Sequence, residues 1–248
     1  MNAIGIIPAR YASKRFLAKV LADLCGKPVI QHVYENAKKT KILDDLVVAC
    51  DDERILRAVK QFGGKAVLTA KEHETGTDRL SEIIHSLDVK VVVNIQGDEP
   101  LVRPEMIHHL VTALLENPKT VMATLMTKIH SPEEARNPNV VKVAVDKHGY
   151  ALYFSRTPIP FYRDEKGTHR QVYYKHLGLY SYTKDFLFTF RNLPVTPLEK
   201  AEKLEQLRVL EHGYRIRVIE TPYETIGIDT PGDLERAKKH LEKESVNA

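Results

Sequence analysis

The chain has 248 residues, 43% of them apolar, a formal charge of +4 at neutral pH and two cysteines. The apolar share supports a substantial core and argues against wholesale disorder, while so small a charge excess does not mark a nucleic-acid binder. No apolar run reaches the roughly eighteen residues that a membrane-spanning helix needs, so no membrane insertion is expected.

The opening residues, MNAIGIIPAR, carry no basic leader and already read as a strand, which implies a cytoplasmic protein. AIGIIPA (3–9) is an apolar run of strand length, followed by a polar, basic loop that includes Cys25. PVIQHVYENAKK has the apolar spacing of a helix, with Pro28 at its first turn. LVVAC (46–50) predicts a second strand, DERILRAVKQFG a helix stopped by Gly63-Gly64, and KAVLT a third strand. Cys25 and Cys50 stand in unrelated contexts without partners at metal spacing, so both read as reduced and structural. TDRLSEIIHSL reads as a helix, VKVVVNIQ as a strand and PEMIHHLVTALLEN as a helix opened by Pro104. Nearly continuous apolar strands alternating with helices imply a doubly wound, mainly parallel sheet covered on both faces.

Beyond residue 120 the rhythm changes. VMATLMTKI, VVKVAVD and YALYFSR are strand candidates with no long helix between them, and KHG (147–149) marks an antiparallel hairpin. A Pro-, Gly- and charge-rich loop, RTPIPFYRDEKGTHR, leads to the alternating strand YYKHLGLYSYT. Helices are expected at 184–191 and 198–212, short strands at RIRVIET and ETIGID, and a charged closing helix at PGDLERAKKHLEKES. The expectation is a single α/β domain over 1–248, with a mixed α+β elaboration at 131–221.

In parallel sheets ligands collect beyond the carboxyl ends of the strands. The loop after the first strand lacks both G-x-G-x-x-G and G-x-x-x-x-G-K-[ST], which disfavours a nicotinamide oxidoreductase or a P-loop ATPase. It presents Arg10, Ser13, Lys14, Arg15 and Lys19 among small residues, a set suited to a polyphosphate or simply to a solvated basic surface. At VVVNIQGDEPLV (91–102) a buried strand ends in an amide and two adjacent carboxylates. Asp98 there either holds magnesium against a triphosphate or accepts local backbone hydrogens in a turn; Glu99 reads more readily as shaping the turn. In TIGIDTPGD, Thr230 reads as an N-cap, Pro231 as the first helical residue and Asp233 as the far half of a capping box, a device that does not require Asp229.

IIPARYAS, DLCGKPVIQHVYE, HETGTDRL, NIQGDEPLV, NPNVVKVAVDKHGYALYFSR, KHLGLY, PLEKAEKLEQLRVLEHG and GIDTPGDLERA follow one another in an order that resembles the 3-deoxy-manno-octulosonate cytidylyltransferases, across essentially the whole chain. The resemblance implies a nucleotide-diphospho-sugar transferase-like fold, typically homodimeric. It also implies transfer of the cytidylyl group of CTP to 3-deoxy-manno-octulosonate (Kdo) with Mg2+, giving CMP-Kdo and pyrophosphate for lipopolysaccharide synthesis. Among site residues, it implies Asp98 and Asp229 as the magnesium pair, and Arg10, Ser13, Arg15 and Lys19 around the triphosphate, with Arg10 and Lys19 catalytic beside the two acids. Cytidine falls to Pro8, Ala9, Arg10, Thr75, Gly76 and Arg79, the last three also readable as an ordinary helix start. The sugar acid falls to Gln96, Arg156, His176, Glu205 and Gln206. Read alone, Arg156 suits a salt bridge, His176 a hydrogen-bonded core imidazole, and Glu205 and Gln206 an exposed helix face. The aromatic-rich YYKHLGLYSY reads as structural, and no residue stands out as a general base.

The chain departs from the family's R-x-P-G-K-P-L at Arg15-Phe16-Leu17-Ala18-Lys19-Val20-Leu21. Were position 18 to need positive φ, alanine would cost on the order of 1 kcal/mol, so this loop is expected to take another path. Two further readings stand beside the main one: a cytidylyltransferase for a related acidic sugar, such as 8-amino-Kdo or a sialic-type acid, and a non-catalytic nucleotide-binding module, against which Asp98 and Asp229 speak.

Overall fold

The computed structural model describes residues 1–13, 15–71, 73, 76–163 and 171–246. β1 (Ala3–Ala9) runs through a loop holding the small hairpin β2 (Asp23–Leu24) and β3 (Lys27–Pro28) into α1 (Val29–Lys38). Then come β4 (Asp45–Cys50), α2 (Glu53–Gln61), β5 (Ala66–Leu68), α3 (Gly76–Ile84), β6 (Val91–Asn94) and α4 (Pro104–Leu115), the alternation the sequence predicts. The later part supplies β7 (Met122–Ile129), α5 (Pro132–Arg136), the hairpin β8 (Lys142–Val145) and β9 (Ala151–Ser155), and the long β10 (Tyr173–Thr183). It closes with α6 (Lys184–Asn192), α7 (Pro197–Glu202), α8 (Gln206–Glu211), β11 (Arg217–Glu220) and α9 (Pro231–Val246).

The sheet order is β11-β7-β10-β6-β1-β4-β5, with β8 and β9 attached through β10. β4, β1 and β6 are parallel neighbours, and β10, from within the 131–221 stretch, enters antiparallel between β6 and β7. Both parts of the chain therefore share one sheet. Side chains alternate across it with period two. Ala3, Ile7 and Ala9 of β1 pack with Val33 and Ala37 of α1 and with Met106 and Leu110 of α4. Ile4 and Ile6 face the other way, toward Leu80 and Ile84 of α3 and Phe186 and Phe190 of α6.

Three local expectations change. The helix expected over 198–212 is two short helices, because Lys203 adopts left-handed φ of 54° and turns the chain between them. ETIGID forms no strand; it crosses the sheet's carboxyl edge, where Ile228 N–H donates to Asp98 O at 2.9 Å instead of joining a ladder. In the first loop the alanine adopts positive φ rather than avoiding it. Ala18 itself stands at φ 55°, ψ 28°, held by its N–H to Tyr11 O at 2.9 Å and by Leu21 N–H donating to Ala18 O at 2.8 Å.

Candidate active site

Asp98 follows the carboxyl end of β6, and Asp229 stands just before α9. The backbone bond from Ile228 to Asp98 fixes one segment against the other. Gly97 lets the β6 loop settle onto β1: a Cβ there would lie 2.8 Å from Pro8 O, a backbone atom that cannot yield. Asp229 is free of capping duty, as expected, since Asp233 accepts from the N–H groups of Asp229 and Thr230 at 3.1 and 2.8 Å.

The two carboxylates converge on one cation. Lys19 Nζ donates to Asp98 Oδ2 and, at 2.9 Å, to Asp229 Oδ1, while Arg15 pairs with Asp229 Oδ2 at 2.8 Å. Burial pulls the Lys19 pKa down, but the charge and hydrogen bond of Asp98, followed by those of Asp229, outweigh it and the net shift is upward. Two acids facing one positive centre form a hard-oxygen donor set. Mg2+ is commonly held by one or two carboxylates with substrate phosphates and water completing its shell. No group of three or more His, Cys, Asp or Glu capable of holding a metal occurs among the described residues. The donor set thus fits magnesium shared with a polyphosphate and does not form an all-protein cage.

Beside this pair opens a cavity of about 640 Å3, lined among others by Arg15, Glu99, Lys175, His176, Gly178 and Asp229. Glu99 is more than a turn former. Burial, then the neighbouring Asp98 charge, pushes its carboxyl up to about 8, and its Oε2 has no hydrogen-bond partner among the described residues. His176 Nε2 lies 2.9 Å from the Thr124 hydroxyl, and the ring meets those of Phe154 and Tyr180 at 5.0 and 5.3 Å; burial drops its pKa to about 3. Gln96 Nε2 donates to Asn94 Oδ1 at 3.4 Å. A Cβ on Gly178 would sit 3.5 Å from Glu99 Oε1 and 3.9 Å from Gln96 Cγ, so this glycine leaves the space between those two side chains open.

The expected exposure of Glu205 and Gln206 is overturned. The break at Lys203 swings the start of α8 inward, which buries Gln206 and brings the Glu205 carboxylate to the Thr77 hydroxyl at 3.4 Å. Burial raises the Glu205 pKa to about 7 against the opposing pull of Arg208 and Thr77. Arg156 makes no salt bridge among the described residues. Its guanidinium is taken up by backbone carbonyls, Nε to Glu202 O at 2.6 Å, Nη1 to Pro138 O at 2.9 Å and Nη2 to Lys203 O at 3.4 Å, and it does not line the cavity.

On the other side of β1, Pro8, Ala9 and Arg10 end the strand. Gly76 opens α3 beside them, its virtual Cβ 3.6 Å from Pro8 Cγ. Arg79 is fully buried: Nη1 donates to the Thr69 hydroxyl and to Ala70 O at 3.2 Å, and Nη2 faces Asp51 at 3.8 Å. Burial depresses its pKa, with Asp51 opposing and Arg10 adding to the fall; Nε and Nη2 have no hydrogen-bond partner among the described residues. Ser13 lies in the first loop, half-buried. Thr75 and Lys14, with residues 164–170 of the Pro-, Gly- and charge-rich loop, lie outside the described residues.

Sequence reasoning left Glu99 as a turn former and passed over Tyr180 and Thr124. The signal available for Tyr180 was its even spacing from His176 through Gly178 in an alternating strand; for Thr124 it was a lone hydroxyl in the apolar run VMATLM.

A cytidylyltransferase family model matches residues 4–218. The 3-deoxy-manno-octulosonate cytidylyltransferase of Geotalea uraniireducens is 52% identical over 98% of this chain and 100% of its own length. That of Geobacter sulfurreducens is 51% identical over 97% and 100%. Among solved structures, a CMP:2-keto-3-deoxy-manno-octonic acid synthetase complexed with CTP superposes with a TM-score of 0.92 at 42% identity, over 98% of this chain and all of that one. The 4-diphosphocytidyl-2C-methyl-D-erythritol synthase of Anaerococcus prevotii, 18% identical over 97% and 96% of the two chains with a TM-score of 0.64, shares the fold.

Proposed function

The chain belongs to the 3-deoxy-manno-octulosonate cytidylyltransferases, and on that premise we infer that it transfers the cytidylyl group of CTP to Kdo, giving CMP-Kdo and pyrophosphate. The anomeric hydroxyl of Kdo forms a bond to the α-phosphorus as the bond to pyrophosphate breaks. Such chemistry depends mostly on positioning and charge neutralisation.

The observation that carries this reading is the convergence of Asp98 and Asp229 on a single cationic centre at the carboxyl edge of the sheet. Asp98 and Asp229 would hold Mg2+, which when bound supplies charge neutralisation on the phosphates and lowers the pKa of the attacking hydroxyl. Lys19 and Arg15 exchange these carboxylates for phosphate oxygens of CTP, joined by Arg10 and Ser13. Pro8, Ala9, Thr75, Gly76 and Arg79 would contact cytidine, and Nε and Nη2 of buried Arg79, which have no hydrogen-bond partner among the described residues, are donors suited to an acceptor there. Gln96, His176, Glu205 and Gln206 take the sugar acid, whereas Arg156, which the resemblance also put there, is engaged by the backbone carbonyls of Glu202, Pro138 and Lys203.

The chain acts as a single nucleotidyltransferase domain in the cytoplasm, with residues 131–221 serving sugar binding and homodimer contact. Leu152 and Phe161, large apolar side chains 63% and 87% exposed, support that contact. The test is pyrophosphate release with CTP, Mg2+ and Kdo, each omitted in turn, alongside 8-amino-Kdo and a sialic acid in place of Kdo. Release that needs all three reagents and favours Kdo is expected; release indifferent to the sugar overturns the reading.

A further inference from the structure

β10 does not run straight along β7. Its pairing slips between Leu177 and Tyr180, the mark of a bulge, and Thr124 of β7 stands fully buried at the slip. Thr124 Oγ1 lies 3.1 Å from Leu177 O, 2.8 Å from Leu179 O and 2.9 Å from His176 Nε2. A threonine hydroxyl has one hydrogen and two lone pairs, whereas carbonyl oxygens only accept. Its single hydrogen is therefore committed to the two carbonyls, and the contact with the ring can be closed only by a hydrogen on Nε2.

The ring itself is neutral, because Phe154 and Tyr180 take it out of water and burial holds its pKa down at about 3. A neutral imidazole carries one N–H. With that hydrogen spent on Thr124, Nδ1 keeps a bare lone pair, and His176 is among the residues that line the 640 Å3 cavity beside the carboxylate pair.

We propose that Thr124 is a positioning residue, which locks His176 in the Nε2–H tautomer so that Nδ1 serves the cavity as an acceptor for a hydroxyl of the sugar acid. The assignment rests on the reading of His176 as a sugar contact. It adds a requirement on the substrate: the group met by His176 must bring a hydrogen, which a hydroxyl does and an ether or a carboxylate does not.

The test combines spectroscopy on the unliganded protein with kinetics. In protein labelled with 15N-histidine, with a His176→Asn variant to assign the ring, Nε2 is expected to be protonated and Nδ1 to show the shift of a bare nitrogen. Thr124→Val keeps the branched shape and removes the hydroxyl. It should mix the tautomers and raise KM for Kdo about tenfold, as expected for one hydrogen bond, with KM for CTP changed less than about twofold. Thr124→Ser should restore both readouts. An Nδ1–H or doubly protonated ring in the wild type overturns the proposal, and so does a valine variant whose two KM values rise together. A wild type that releases no pyrophosphate with Kdo instead defeats the proposed function, and the sugar half of this assignment with it. A wild type that turns over beside a valine variant of unchanged KM for Kdo defeats this assignment alone.

Discussion

The Lys19 ammonium and the Asp229 carboxylate are 210 residues apart in the chain and 2.9 Å apart in space. Because the same ammonium reaches Asp98, the chain's own cation holds the two acids together. Lys19→Met removes that cation and leaves the acids facing each other. Turnover is expected to fall at least about a hundredfold, the scale of a lost transition-state contact. Mg2+ should raise the Tm of this variant more than that of the wild type, because the metal then relieves the repulsion alone. Equal Tm responses in a Mg2+ titration would count against the shared site.

Asp98→Asn keeps the side chain's shape and removes its charge. Turnover should drop by about three orders of magnitude, the several kcal/mol that a neutralising metal contributes. The far-ultraviolet circular dichroism should stay unchanged, since the backbone bond from Ile228 N–H to Asp98 O does not involve the side chain. Near-normal turnover in a steady-state assay would refute the metal role.

Ala18 carries the cost of its left-handed backbone at φ 55°. Ala18→Gly should stabilise the fold by about 1 kcal/mol, a rise in Tm of about 2–4 °C at this chain length, because glycine has no Cβ to strain there. Differential scanning calorimetry checks this, and an unchanged or lower Tm would show that the loop holds alanine without strain.

Glu205 supplies a pH signature. Its pKa is raised from 4.5 to about 7, chiefly by burial. Below pH 4.5 both states hold the proton. Above it the unfolded chain releases the proton while the folded chain keeps it, so stability falls as pH rises toward 7 and then levels. The difference approaches about 3 kcal/mol at its full extent. Glu205→Gln lacks this slope. Its Tm relative to wild type should climb between pH 4.5 and 7 and flatten beyond, whereas a constant offset across the series would place the carboxyl in water.

Much of this molecule is legible in its residues taken in order. Apolar periodicity marks the alternation from β1 to α4, because a buried strand or helix face must be apolar whatever packs on it. The Thr230-Pro231-Asp233 cap and the hairpin at Gly149 are local chemistry and stand where the sequence puts them. Asp98 could be suspected alone, since two carboxylates after an apolar strand demand a partner.

Contacts between distant segments were decided in three dimensions. The break at Lys203 turns Gln206 from an exposed face into the interior and leaves Glu205 half-buried, although their own spacing pointed to solvent. Arg156 finds backbone carbonyls, and Thr124 meets His176 only because β10 enters the sheet beside β7. What the sequence by itself determined is which residues must leave water and which turns the backbone can make, both properties of neighbours along the chain. Which acids share a cation, and which hydroxyl orients an imidazole, depends on the order of strands in the sheet, and only the folded chain sets that order.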